Sequence, residues 1–318
     1  MRRTTIPFNE IVRTPPAGER TLLLERILDD GTLLSVTEGR GVRMLHLGAS
    51  TQSEVGVDKF GHLRFELVEE WTQAMVACTY SWSALQTQTH VEDRLLPNVL
   101  MVGGGGGIIA RALLSKLHVH IVELEPVVLE VAQTHFGLHL GTQCSATFGD
   151  GATFLAQRAD AVRAGTASRF GIVLIDCFTP DGVAPCVADG SICAPLADCV
   201  APDGLAIVNL HRTAGTSSED PSDEAWAAPH TVMSRLRERF DTVMSLSART
   251  SRNVLALCHQ GEPRSIDAWC AAVDAGLGLG AAAACPDVTG ESLRERLRLF
   301  GEDQVARGGG AHSCCCAD

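Results

Sequence analysis

Apolar residues in the first part of this chain fall in short runs broken by polar turns. Thr21-Leu22-Leu23-Leu24-Glu25-Arg26-Ile27 and the run Leu33-Leu34-Ser35-Val36-Thr37 flank Asp29-Asp30-Gly31. Strand-forming runs around an Asp-Gly pair predict a β-hairpin. Val42-Arg43-Met44-Leu45-His46-Leu47 predicts a third strand. Over residues 66–85, Leu67, Trp71, Ala74, Met75 and Cys78 recur at helical spacing, so a helix is expected there. A small antiparallel sheet leading into a helix is the predicted N-terminal unit.

From Pro97 onward the rhythm changes to strand, helix, strand. Val99-Leu100-Met101-Val102 reads as a strand, 108–117 as a helix and 119–124 as the next strand. A helix is expected over 126–136, with Pro126 in its first turn. Strands follow at 145–148, 172–175 and 205–210, the last after a helix ending near 200 and a Pro202-Asp203-Gly204 turn. Residues 215–223 form a polar loop, 233–240 a helix, and 242–247 with 254–258 an antiparallel pair. This alternation predicts a mostly parallel, doubly wound α/β sheet. The expected division is residues 1–90 for the hairpin unit and its helix, 91–262 for the parallel sheet, and 263–318 for a C-terminal helical segment with a cysteine-rich tail.

Charge narrows the candidate ligands. The 26 basic and 38 acidic side chains give a net charge of −12, which argues against a surface that tracks nucleic-acid phosphates and suits cationic ligands. No stretch reaches the roughly 20 apolar residues of a membrane helix. The 12 cysteines contain no C-x-x-C pair, and His118 and His120 lie in an alternating apolar run, so no metal site is expected. No secretory signal is read at the N-terminus, and reduced thiols in a cytoplasmic protein are the expectation. Cys314, Cys315 and Cys316 near the end read as an exposed tail, with lipid attachment as the alternative.

Five consecutive glycines, Gly103 to Gly107, separate the 99–102 strand from the following helix. Bare backbone at such a junction lets a nucleotide or nucleoside lie against the main chain. Gly103, Gly105 and Gly107 satisfy a G-x-G-x-G spacing, while Gly105, Gly107 and Ala110 satisfy the G-x-G-x-x-A of dinucleotide sites. Glu123, Asp150 and Asp176 each end a predicted strand, so a parallel sheet should gather them beside the glycines. Three carboxylates would repel a pyrophosphate and attract an adenosine bearing a sulfonium and an ammonium group. In that arrangement Glu123 would hold the ribose, Asp150 with Gly151 the adenine, and Asp176 the amino or sulfonium end.

Several stretches carry a resemblance. Val102-Gly103-Gly104-Gly105-Gly106-Gly107, Val122-Glu123-Leu124-Glu125, His135-Phe136-Gly137, Gly149-Asp150-Gly151, Leu174-Ile175-Asp176 and Pro202-Asp203-Gly204 together resemble the spermidine synthase superfamily. The resemblance covers about residues 21–258. It implies a Rossmann-like sheet of the class I methyltransferase type, preceded by a small β-hairpin domain. It also implies S-adenosylmethionine, or its decarboxylated form, as cofactor. Relatives of this fold commonly pair through their hairpin domains, which leaves a homodimer or a place in a larger assembly open for this chain.

Departures from that pattern shift the implied reaction. Aminopropyltransferases of the superfamily carry an acidic residue in the glycine turn and a D-S-S-D-P motif whose second Asp takes the amine proton. Here Gly106 stands in the turn, and Asp176-Cys177-Phe178-Thr179-Pro180 places Thr179 at the base position, with Asp181 two residues on. A threonine hydroxyl is no base near neutral pH. Trp71 and Gln73 stand where the family's diamine-binding Tyr and Glu are expected. Phe178 after the strand-end Asp, and Val208-Asn209-Leu210, resemble the spermidine-synthase-like methyltransferases. The expected activity is therefore methyl transfer to a small-molecule or protein acceptor. His211 is a candidate catalytic group alongside Asp176, because histidine titrates near neutral pH. A polyamine aminopropyltransferase and a non-catalytic subunit or assembly factor are the competing readings.

Overall fold

Period-two alternation organises the N-terminal residues into five strands of a computed structural model that describes residues 20–89, 98–180, 182–212, 224–261, 265–277 and 283–299. Strands β1 (Thr21–Ile27), β2 (Leu33–Gly39), β3 (Val42–Leu47), β4 (Ser50–Val57) and β5 (Leu63–Leu67) pair antiparallel in sequential order. In the first turn the Asp30 carboxylate accepts from the Thr32 N–H at 2.8 Å and the Thr32 hydroxyl at 3.0 Å. Leu24, Leu34, Val36, Leu45, Val55 and Leu67 form the buried face. Strand β5 corrects the expected start of the helix at residue 66. Arg64, Phe65 and Glu66 lie exposed while Leu67 turns inward, and helix α1 spans Glu70–Thr89. From Thr72 to Ser83 every residue of α1 is buried, so the helix is enclosed on all sides and shows little amphipathic contrast.

Eight strands make the main sheet. Strand β6 (Asn98–Val102) leads through helix α2 (Ile108–Leu113) to β7 (His118–Glu123), then α3 (Pro126–His135), β8 (Cys144–Phe148) and α4 (Gly151–Arg163). The chain returns at β9 (Phe170–Ile175), makes a two-rung hairpin of β10 (Phe178–Thr179) and β11 (Gly182–Val183), and passes α5 (Pro185–Ala188) and α6 (Cys193–Cys199). Next come β12 (Val200–His211), α7 (Ala227–Arg237), β13 (Thr242–Ser247), β14 (Asn253–His259), α8 (Ile266–Gly276), α9 (Gly290–Arg294) and β15 (Leu297–Leu299). The order is β15-β13-β14-β12-β9-β6-β7-β8, parallel from β12 to β8 and antiparallel among the rest. This is the doubly wound α/β architecture that the alternation of elements predicts.

Strand β6 has β7 on one side and β9 on the other, because the chain winds outward through β7 and β8 before crossing back. A crevice opens where the winding reverses, outside the carboxyl ends of the strands. The C-terminal segment packs on the same body. β15 pairs with β13, α8 lies along α1, and Gln73 on α1 donates to Leu67 O at 2.9 Å and to Asp287 Oδ2 at 3.0 Å. No helix among the described residues is long and apolar enough to cross a membrane. The cysteine-rich tail, Asp181 and the 213–223 stretch lie outside the described residues.

Candidate functional site

The crevice at the switch point is a cavity of ≈ 330 Å³. Its floor is the glycine loop and the ends of β6, β7, β8 and β9; residues 50–54, 69–72 and 178–179 contribute to the facing walls. Gly103 is bare for a reason inside the protein. It sits at φ +91°, and a Cβ there would lie 2.2 Å from the Asp176 carbonyl. The tight packing of this turn against the end of β9 demands glycine.

All five loop amides already have acceptors. Gly103 N–H donates to Val122 O at 2.9 Å and Gly107 N–H to Gly104 O at 2.9 Å. Glu123 Oε2 accepts from Gly104 N–H at 2.8 Å and Gly105 N–H at 3.3 Å, while Ser53 Oγ accepts from Gly106 N–H at 2.8 Å. Anion sites at glycine turns work by offering free N–H groups. Here those groups are spent, and no Lys or Arg is among the described residues lining the cavity. The lining carries Glu54, Glu69, Glu123, Asp150 and Asp176 instead. The donor set suits a cation and opposes a diphosphate, which removes the support that the Gly105-Gly107-Ala110 spacing lent to a dinucleotide.

Glu123, Asp150 and Asp176 do come together around this cavity, each in a different setting. Glu123 is 8% exposed, and burial raises its pKa against the N–H groups of Glu125, Gly104 and Gly105 that stabilise the carboxylate. Asp176 is raised from 3.8 to about 6 by burial, opposed by a hydrogen bond from Asn209, with the negative charge of Glu123 adding to the rise. Asp150 is exposed and caps α4, its Oδ1 accepting from Thr153 N–H at 2.8 Å and from the Thr153 hydroxyl at 2.7 Å. Its second oxygen has no bond to the cap. Gly105 and Gly151 also line the cavity.

Gly107 does not. It begins α2 at φ +68°, and a Cβ would meet Leu138 Cδ2 at 2.9 Å, so packing alone accounts for its bareness. His211 reaches the cavity, but the expectation that it titrates near neutral pH is corrected. Burial, reinforced by the charge of Arg252, pushes its pKa down to about 4. Gln73, which stands where the family's diamine-binding Glu is expected, is engaged within the protein. Besides its two donated bonds, its Oε1 accepts from Asp287 N–H at 3.0 Å, and it is 1% exposed. Trp71 does line the cavity. Thr179 donates to Gly182 O at 3.3 Å within its own hairpin.

The sequence reading missed much of the wall facing the glycine loop. Glu54 and Glu69 are neighbouring carboxylates, and burial followed by the charge of Glu54 raises the pKa of Glu69. Glu54 lies in the polar start of β4, which carries no strand-like apolar alternation, and Glu69 lies in the short link between β5 and α1, so nothing marked either. Asn209, Ser251 and Asn253 line the cavity beside His211, whose ring lies 4.4 Å from that of Phe178.

Known proteins share this architecture. The spermine/spermidine synthase domain model matches residues 85–214. That match and the resemblance read from the motifs point to the same superfamily, over the stretch that holds the glycine loop and the strand-end acids. An eEF1A lysine and N-terminal methyltransferase of Danio rerio is 31% identical over 122 residues, 36% of this chain. That match spans only 17% of the relative's length. A probable spermidine synthase from Corynebacterium glutamicum superposes with a TM-score of 0.57 at 14% identity, covering 84% of this chain and 88% of that one. Human methyltransferase-like protein 13, solved with S-adenosylhomocysteine, gives a TM-score of 0.51 at 18% identity over 75% of this chain and 98% of that one. At these identities the structures establish a shared fold.

Proposed function

We propose that this chain is a methyltransferase using S-adenosylmethionine, with an amine as the acceptor. The observation carrying the reading is the charge of the cavity: five carboxylates, no Lys or Arg among its described lining residues, and a glycine loop whose N–H groups are all engaged. A sulfonium with an ammonium group needs acceptors, and this lining supplies them. Bound crystallographic S-adenosylhomocysteine in the human methyltransferase-like protein 13 of the same fold supports the choice, as does the amine acceptor named for the Danio rerio relative.

In this reading Glu123 accepts from the ribose hydroxyls and the free oxygen of Asp150 from the adenine amino group. Asp176 faces the ammonium or sulfonium end, and the backbone of Gly103, Gly105 and Gly151 lies along the ligand. The cofactor supplies an electrophilic methyl group. What the chain contributes is alignment, which is the larger part of the catalytic task in a displacement at carbon. Trp71, Phe178 and His211 wall the acceptor side, and Glu54 with Glu69 gives an approaching amine a negative surround. An aminopropyltransferase reading is weakened by Thr179, whose hydroxyl is engaged with Gly182 and cannot serve as a base.

Calorimetric titration of the purified chain tests the reading, with S-adenosylhomocysteine, sinefungin and NADH as ligands. Micromolar binding of the first two and none of NADH is expected. Binding of NADH alone, or of no ligand at millimolar concentration, overturns it. Efficient spermidine formation from decarboxylated S-adenosylmethionine and putrescine would transfer the assignment to aminopropyl transfer.

A further inference from the structure

Five polar side chains beside the cavity form one continuous hydrogen-bonded network. Asn209 Nδ2 lies 2.9 Å from Asp176 Oδ1, and Asn253 Nδ2 lies 3.0 Å from Asn209 Oδ1. The same Asn253 nitrogen is 3.0 Å from His211 Nε2, and the Ser251 hydroxyl is 2.6 Å from Asn253 Oδ1. Strand register builds the row. His211 on β12 stands opposite Asn253 on β14, and Asn209 is two residues along β12, so all three project from one face. Asn209 is 1% exposed and Asn253 5%, which leaves little water to replace a lost partner.

The direction of the chain follows from its end. An ionised carboxylate can only accept, so Asn209 must turn its NH₂ toward Asp176 and its oxygen toward Asn253. Asn253 must then present its NH₂ to Asn209, and the second hydrogen of that group points to His211 Nε2. A ring nitrogen that accepts carries no proton. We propose that Asn209 and Asn253 relay the charge state of Asp176 to His211, holding its ring neutral with the proton on Nδ1. With Asp176 protonated or removed, both carboxamides can turn over, and His211 Nε2–H then donates to Asn253 Oδ1.

The consequence rests on the methyltransferase reading. His211 offers the cavity an N–H and no lone pair, so it does not take the acceptor's proton, and it can donate only to a lone-pair atom beside the attacking nitrogen. Asn253 is a positioning residue that acts through His211. Burial of His211 and the adjacent Arg252 favour the same neutral ring, while Glu123 and Cys177 are the titratable neighbours of Asp176.

Two-bond ¹H–¹⁵N correlation spectra of the histidine-labelled full chain read the tautomer directly, with His211→Gln identifying the signals. At about pH 7.5 wild type should show His211 as Nδ1–H, and the ring should stay neutral down to about pH 5. Asn253→Asp should convert it to Nε2–H and raise its pKa. Asn253→Leu should release the fixed tautomer, with circular dichroism confirming that each variant is folded. An Nε2–H ring in wild type overturns the relay on its own, even where a variant fails to fold. So does an unchanged tautomer and titration in both variants. Failure of wild type to bind S-adenosylhomocysteine would remove the methyltransferase reading and leave the tautomer result standing.

Discussion

Asp176 gives the sharpest handle on the site, because its charge is costly in the empty protein and useful in the occupied one. Burial moves its pKa from 3.8 to about 6. At about 1.4 kcal/mol for each tenfold change in acidity, the ionised carboxylate destabilises the free fold by about 3 kcal/mol. The sign follows from a native pKa above the unfolded one: the native state holds the proton more tightly, and this advantage is lost as pH rises from about 4 to about 6. Asp176→Asn should therefore stabilise the empty chain by up to about 3 kcal/mol at neutral pH and have little effect at about pH 3. Binding should move the other way. A hydrogen bond to a charged group contributes about 1.5–3 kcal/mol, so the variant should lose roughly ten- to hundredfold in affinity for sinefungin. Wild-type affinity should be level above about pH 6 and fall about tenfold by about pH 5, as the carboxylate takes up its proton. Urea unfolding and calorimetric titration across that range measure both halves. Equal wild-type affinity at about pH 5 and pH 8, or the same pH slope in Asp176→Asn, refutes the reasoning.

Three further substitutions separate ligand contacts from packing. Ser53→Ala strips the Gly106 N–H of its acceptor and should lower unfolding free energy by about 1–3 kcal/mol in urea titration. Asp150→Ala should lose about 0.5–2 kcal/mol of stability with the α4 cap and also weaken nucleoside binding, whereas Asp150→Asn should keep the cap. Gly107→Ala forces a side chain into a left-handed backbone beside Leu138, so it should cost about 1–3 kcal/mol in thermal or urea unfolding while the dissociation constant for S-adenosylhomocysteine stays within twofold. A tenfold loss of affinity in folded Gly107→Ala would return that glycine to the ligand.

The parallel core was legible because its strands are buried on both faces and read as uninterrupted apolar runs, such as Val99 to Val102 and Ile172 to Ile175. Strand-end acids could be placed together because parallel strands share one carboxyl edge. Strand β4 stayed hidden for the opposite reason. Its Ser50-Thr51-Gln52-Ser53-Glu54 stretch lines a cavity, so the apolar partner residues that mark a strand are absent. Asn253 opens an apolar strand and gave no chemical signal of its own. Its meaning comes from standing opposite His211, a pairing made by residues far apart in the chain. Gln73 illustrates the limit of a local resemblance, since its partner Asp287 lies 214 positions away. Histidine's ordinary acidity is likewise a property of the free side chain, and the enclosure that overrides it at His211 is invisible in one dimension.

Ser53 closes the glycine loop from 53 positions earlier in the polypeptide. On a ribosome the strand that carries Ser53 emerges before the loop it caps, so the acceptor is synthesised ahead of its donor. A circular permutant that moves residues 20–67 behind residue 299 would reverse that sequence of events. In the permutant the glycine loop would be made before the side chain that caps it.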